Sequence, residues 1–369
     1  MIKKAFFGFA IFLLAVDMAG AQNSNQPWWY TLEMGKLQFR DGAYGNALIA
    51  FEDARRQRLS QYERMEQDMI LLLSSPELRR LGDSLEWIEM YIAERRETRA
   101  QAILAELYHR VPKESLQGSA QRVLEELDRL KSYPEAEFWL GETYEAEGEL
   151  ALALGQYERA WQKRELLETP GFEAEILYKL MDIHRIRGNY QEMERRAIEI
   201  AEGFGPSGNL RDNLWGTDSS HPIRVAMSRI LENEGVNRFL TLYRYRSVLT
   251  ERAHRVLGFF YYASNRYIPA AEHLMFAFLI QNTVLIEEVI KREFDFTFTS
   301  LENLMEFAQS RPELKAFIED TEYYRTIYYL ASALYATGKN RPSSQLLTFL
   351  ANSTDSREWG ERARRNSSP

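Results

Sequence analysis

Cysteine is missing from all 369 residues. Its absence excludes disulfides, thiolate metal sites, a cysteine nucleophile and the lipid-modified cysteine of a bacterial lipoprotein. Histidine is scarce: His109, His184, His221, His254 and His273 are scattered and form no H-E-x-x-H pair, so no metal site is expected. His254 and His273 fall on the paired helices of one hairpin and could meet, but without a nearby third ligand that is only a packing contact. No G-x-S-x-G elbow, phosphate-cradling glycine loop or Glu-Ser start of a lysozyme-like module is present. Glutamates such as Glu142, Glu145, Glu147 and Glu149 are spaced as solvated helix faces. No catalytic, cofactor-binding or metal-binding residue is therefore assigned. Basic charge is not in excess either: the formal net charge is −8, the wrong sign for a general nucleic-acid binder. After residue 21 no run is expected to be long and apolar enough to cross a bilayer.

What is present begins at the N-terminus. Lys3 and Lys4 precede the apolar run from Ala5 to Val16, and Ala19-Gly20-Ala21 supplies a small-x-small site. This order predicts a secretory signal peptide over residues 1–21, cut after Ala21. An exported chain without disulfides must take its stability from packing, and the expected location is the periplasm. With 45% hydrophobic and 13% aromatic residues there is enough apolar material for a large core.

The remaining pattern is helical and repetitive. In Pro134 to Lys163, Leu140-Gly141 and Tyr144 lie on one helical stretch, Glu147-Gly148 marks a break, and Ala153, Tyr157 and Ala160 lie on a second. Small residues at Gly141 and Ala153 are expected to let two helices approach closely. Similar patterns occur around Gly35 to Ala54, Trp87 to Leu107, Leu177 to Ile200, Leu257 to Ala277 and Ile327 to Leu350. An extra helix is expected over 115–131, and a helix pair over 223–247 broken near Asn233 to Gly235. Phe294 to Thr299 reads as an extended connector, followed by a capping box of Thr299 with Glu302. Residues 357–365 should close the chain as a helix, with Trp359 packed back.

These residues resemble the tetratricopeptide repeat family, a helix-turn-helix repeat of 34 residues. The best match is Leu140-Gly141, Tyr144, Gly148, Ala153, Tyr157 and Ala160, followed by Leu257-Gly258, Tyr261, Tyr267, Ala270 and Ala277. The resemblance implies an all-α fold, a right-handed superhelical array of such hairpins. The spacing departs from the family. Ala47, Ala100, Ala153, Met193, Ala270 and Ser343 stand 53, 53, 40, 77 and 73 residues apart. One further helix pair is expected in each of the two longest gaps. The organisation expected is a signal peptide at 1–21, an N-terminal array at 22–203, a Gly/Pro/Asn/Ser-rich linker at 204–222 containing Trp215, and a C-terminal array at 223–369.

In the family the first helix of each hairpin lines a concave groove that takes peptides or helices of other proteins. Carried onto this sequence, the groove residues are Phe138, Glu142 and Glu145, then Tyr178, Asp182 and Arg185. Further on they are Arg252, Arg255, Phe259 and Tyr262, and finally Arg325, Tyr328 and Tyr335. The asparagine with which some members grip a C-terminal carboxylate is replaced by Glu142, Asp182, Phe259 and Ser332, so that clamp is not expected. The implied function is a non-enzymatic periplasmic scaffold or adaptor. Its partner would be a protein of secretion, outer-membrane assembly or flagellar motor machinery, with no nucleic acid, no cofactor and no integral membrane span. The alternative is a peptidoglycan- or carbohydrate-binding or lytic protein using Trp139, Trp161 or Trp215.

Overall fold

The computed structural model describes residues 27–73, 130–203, 222–353 and 357–367, with isolated positions between 87 and 100. The signal peptide expected at 1–21, most of the copy expected at 87–107 and of the helix expected at 115–131, His109, His221 and the body of the expected linker with Trp215 lie outside these residues. Among the described residues there are fifteen α-helices and no strand. They fall into two compact units that divide between Glu173 and Ala174, upstream of the linker expected at 204–222.

The first unit contains α1 (Trp28–Arg40), α2 (Tyr44–Leu73), α3 (Pro134–Ala146) and α4 (Leu150–Gln162). Each helix packs on the next in the chain. Trp28, Leu32, Phe51, Tyr133 and Leu140 form the core with Ala47, Ala54 and Ala136. Arg58 is fully buried, its guanidinium between the rings of Trp28 (4.8 Å) and Tyr133 (4.6 Å). Its Nε donates to the Leu130 carbonyl and its head pairs with Glu168, each at 3.0 Å. These contacts compensate the cost of removing the charge from water.

The second unit contains α5 (Phe172–Ile186, from Ala174 on), α6 (Tyr190–Gly203), α7 (Pro222–Asn233), α8 (Val236–Leu242), α9 (Val248–Ala263) and α10 (Tyr267–Arg292). It continues with α11 (Leu301–Gln309), α12 (Pro312–Asp320), α13 (Tyr323–Ala336), α14 (Asn340–Asn352) and α15 (Arg357–Ser367). Here α6 packs directly on α9 and α10 directly on α13. The pairs α7–α8 and α11–α12 are the extra pairs of the two longest gaps. Neither interrupts the stack: α7 and α8 fold onto α14 instead. That position is fixed at the α8 N-terminus, where the Val236 N–H donates to Gln345 Oε1 at 2.9 Å. Long sequence spacing therefore coexists with regular stacking.

One turn recurs in five hairpins. Gly42, Gly148, Gly188, Asn265 and Gly338 all have positive φ, and each lies two residues before its second helix. In each, the next residue's N–H donates to the carbonyl five residues back: Ala43 to Gln38, Glu149 to Tyr144, Asn189 to His184, Arg266 to Tyr261 and Lys339 to Leu334, at 2.8–2.9 Å. This is the Schellman closure, which needs a left-handed residue that glycine or asparagine supplies. The same N–H to carbonyl bond joins Arg96 to Tyr91 at 2.7 Å.

The close approach is one of glycine to side chain. A Cβ on Gly35, Gly141 or Gly258 would lie 2.5, 2.6 or 2.4 Å from Phe51, Tyr157 or Leu274, always the residue sixteen positions later. In the α5–α6 copy the sizes are exchanged, with Met181 and Ala197 at these positions, both fully buried. Ala153 is fully buried as expected.

Two expectations are corrected. The cap before α11 is Ser300, whose hydroxyl accepts from the Asn303 N–H at 3.2 Å, and not Thr299. Ser300 has extended backbone angles, which place its oxygen over the first-turn N–H groups. Secondly, α10 is long and apolar enough to cross a membrane by length and composition, contrary to the reading of the sequence. Its apolar stretch is 72% buried against its own neighbours. His273, Gln281, Asn282 and Thr283 are buried with it.

Candidate interaction face

The turn residues give every hairpin a common register. The position seven before each turn is Gly141, Met181, Gly258 or Ala331, and the expected groove residues fall three before, one after and four after it. Arg252 and Arg325 lie six before.

The position three before is taken up in packing. Within the first unit Phe138 meets Phe172 with ring centroids 4.5 Å apart. The Tyr178 hydroxyl donates to the Leu249 carbonyl. Arg255 pairs with Glu322, and Tyr328 meets Trp359 at 5.4 Å. Phe138 is 3% exposed and Arg255 8%. Their assignment to a partner-binding surface is corrected: Phe138 is consumed in packing within the first unit and Arg255 in joining α9 to α13. The physical reason is that the side chain leans back over the preceding turn of its helix, toward the N-terminal end of the next hairpin.

Arg255 is the centre of a polar cluster. Its Nε donates to Glu251 at 3.0 Å, and its other arm pairs with Glu322, which also pairs with Arg325. The side chain of Gln281 from α10 donates to Glu251 at 2.7 Å and to the Thr321 carbonyl at 2.9 Å. Burial pushes the Glu251 carboxyl above the usual range, and Arg255 opposes that shift. Glu322 holds its two arginines from a left-handed backbone, φ +47°, a conformation with a cost for a residue bearing a Cβ.

The remaining positions form the accessible face. Asp182 pairs with Arg252 of the next first helix and lies 3.5 Å from Arg185, while the Arg252 guanidinium lies over the Tyr178 ring at 5.3 Å. Farther along, the Arg325 guanidinium lies over Phe259 at 4.3 Å. Tyr329 joins this group at 5.3 Å from Phe259 and 4.9 Å from Tyr262, and Trp359 lies 6.0 Å from Tyr329. Phe259, Tyr262, Arg325 and Tyr328 are half-buried, Arg185 and Arg252 are exposed, and Tyr335 is 69% exposed. Tyr329, Trp359 and Glu322 complete the group and were not among the residues assigned from sequence. The spacing Arg325 to Tyr329, one helical turn, was the available signal. A cleft of about 330 Å³ opens beside it, lined by Tyr324, Arg325, Trp359, Lys315, Glu319 and Glu322 among others.

In the first unit Glu142 and Glu145 share one phenol. The Tyr157 hydroxyl donates to Glu142 and lies 2.8 Å from Glu145. Burial and the two carboxylates push that phenol well above its ordinary range. Trp139 is packed among Phe39, Phe51 and Phe138, and Arg164 covers Trp161 at 4.3 Å. Neither presents an open aromatic platform.

His254 and His273 meet, Nδ1 to Nδ1 at 3.1 Å, with His254 stacked on Phe276. Among the described residues no group of three or more metal-ligating side chains occurs.

No protein-family model matches the chain. It is similar to an uncharacterized protein of Treponema pallidum (strain Nichols), 24% identical over 335 residues, covering 91% of this chain and 88% of that protein. It is also similar to an uncharacterized protein of Borreliella burgdorferi (strain ATCC 35210 / DSM 4680 / CIP 102532 / B31), 22% identical over 235 residues, or 61% of this chain and 72% of the other.

Proposed function

We propose that the protein is a non-enzymatic scaffold or adaptor of the cell envelope, exported to the periplasm. In this reading its hairpins are tetratricopeptide-like repeats of a right-handed superhelical array, and a segment of another protein docks along α9, α13 and α15. The observation that carries the reading is the run of half-buried aromatics Phe259, Tyr262, Tyr328, Tyr329 and Trp359 with Arg325 laid across it. Tyrosine, tryptophan and arginine are the residues that concentrate binding energy at protein interfaces. The occupant is a helical segment with charges of both signs, matched to the Asp182, Arg185 and Arg252 cluster and to Arg325.

The test is photo-crosslinking in cells from positions 262 and 335, followed by mass spectrometry. One or a few envelope proteins crosslinked by both positions, and no longer pulled down by a variant combining Tyr262→Ala with Tyr335→Ala, is the expected result. Recovery of the same partners by that variant would refute the face. The carbohydrate reading keeps one support, the aromatic and carboxylate lining of the cleft beside Trp359. Sedimentation with purified sacculi, or release of soluble fragments from them, would favour it.

A further inference from the structure

A second cleft, of about 1000 Å³, lies between α7, the first turns of α10 and the C-terminal end of α13, and Tyr267 in its lining meets Tyr262 with ring centroids 5.4 Å apart. It exists because α7 belongs to an extra pair. With α7–α8 folded onto α14, α7 stands over the ends of α10 and α13 without filling the space between. The floor is apolar: Met227, Leu231, Phe276 and Leu334 are buried or nearly so, and Met275 is half-buried. Ile268 at the entrance is 68% exposed. Methionines on such a floor adapt to ligands of varied shape.

The rim has the opposite sign to the chain. Arg224, Arg229, Arg266 and Lys339 line the cleft against Glu232 and Glu272, and with Glu194 pairing Arg266 from beyond the lining the balance is one positive charge on a protein of net charge −8. Lys339 is held by Glu232 at 2.7 Å, and Arg266 by Glu194 at 3.2 Å. Arg224 lies 3.7 Å from Glu272, with its guanidinium 5.9 Å from the Phe276 ring. Arg229 is exposed and has no ion pair among the described residues. The volume is at the upper end of the usual range for small-molecule sites, about 300–1000 Å³.

From this juxtaposition of an extended apolar floor and a cationic rim, we infer that the cleft binds a single amphiphile, an acyl chain carrying an anionic head. The chain lies along Met227, Met275 and Phe276, and the head, a carboxylate or a phosphate, is held at Arg229 and Arg224. An anionic head is favoured because the rim keeps a positive balance, and each methylene group of a buried acyl chain adds to the affinity. Inorganic phosphate alone lacks that term and would bind weakly.

The test is isothermal titration of the full chain with oleate, with lysophosphatidylglycerol, with zwitterionic lysophosphatidylcholine and with inorganic phosphate, all below micelle-forming concentrations. Saturable one-to-one binding of oleate or lysophosphatidylglycerol, at least tenfold tighter than of lysophosphatidylcholine or phosphate, is expected. Which of the two binds tighter separates a carboxylate from a phosphate head. Arg229→Glu, at an exposed position that leaves the melting temperature unchanged, should weaken the anionic ligand at least fivefold. Met275→Trp should block the chain. Absence of saturable binding by wild type, equal binding of the zwitterionic lipid, or undiminished binding by Arg229→Glu would each overturn the inference.

Discussion

The imidazoles of His254 and His273 face each other Nδ1 to Nδ1 at 3.1 Å across the α9–α10 hairpin, and both are buried. One ring must donate and the other accept, so at least one of the two rings is neutral. Burial pulls both down, His273 to about 3 and His254 well below its ordinary value, and Arg224 adds to the effect on each. In the unfolded chain both take up a proton near pH 6.5. Their contribution is therefore complete above that pH and is lost as pH falls toward 3, at about 1.4 kcal/mol per pH unit for each ring. Urea melts at pH 7.5, 6.0 and 5.0 should show this slope. His254→Phe with His273→Leu should flatten it, and an unchanged slope in that variant would dismiss the pair as its source.

Gly141 has no room for a side chain. A Cβ there would lie 2.6 Å from the Tyr157 ring, so Gly141→Ala should cost about 1–3 kcal/mol by overpacking, and Gly141→Leu more. The Met181 and Ala197 pair suggests the compensation. Gly141→Met combined with Tyr157→Ala should be more stable than the sum of the two single changes. Thermal melts of the four proteins give the coupling directly, and simple additivity would argue against the sixteen-residue register.

Arg255→Ala should destabilise the second unit by about 3–5 kcal/mol, because it leaves Glu251 buried without its cation. Tyr335→Ala, at a side chain 69% exposed, should leave the melting temperature within a degree. Equal melting temperatures for the two variants would mean that Arg255 is not structural.

Ser300→Ala removes the side-chain cap of α11 and should cost about 1 kcal/mol. Thr299→Ala should be nearly neutral. The reverse order in chemical denaturation would move the cap back to Thr299.

The repeat was legible where glycine leaves no alternative. Gly141 with Gly148, or Gly258 with the glycine-like Asn265, marks a close contact and a left-handed turn by local chemistry, and α3, α4, α9 and α10 follow. Nothing comparable marks the site. Glu142, Asp182, Phe259 and Tyr262 were assigned by register alone, and the same register assigned Phe138 and Arg255 to a surface although both are buried.

The sequence by itself determined the helical hairpins, their turns and the need for an extra pair in each long gap, because periodicity, capping and positive φ act within a few residues of one another. Which helices stack was decided only by the tertiary structure. That α6 meets α9 past α7 and α8, that Arg255 is buried against Glu322, and that a cleft opens beside α7 all depend on contacts between residues some 40 to 110 positions apart. No local pattern encodes those distances. They follow from which apolar faces remain to be covered once the hairpins have formed.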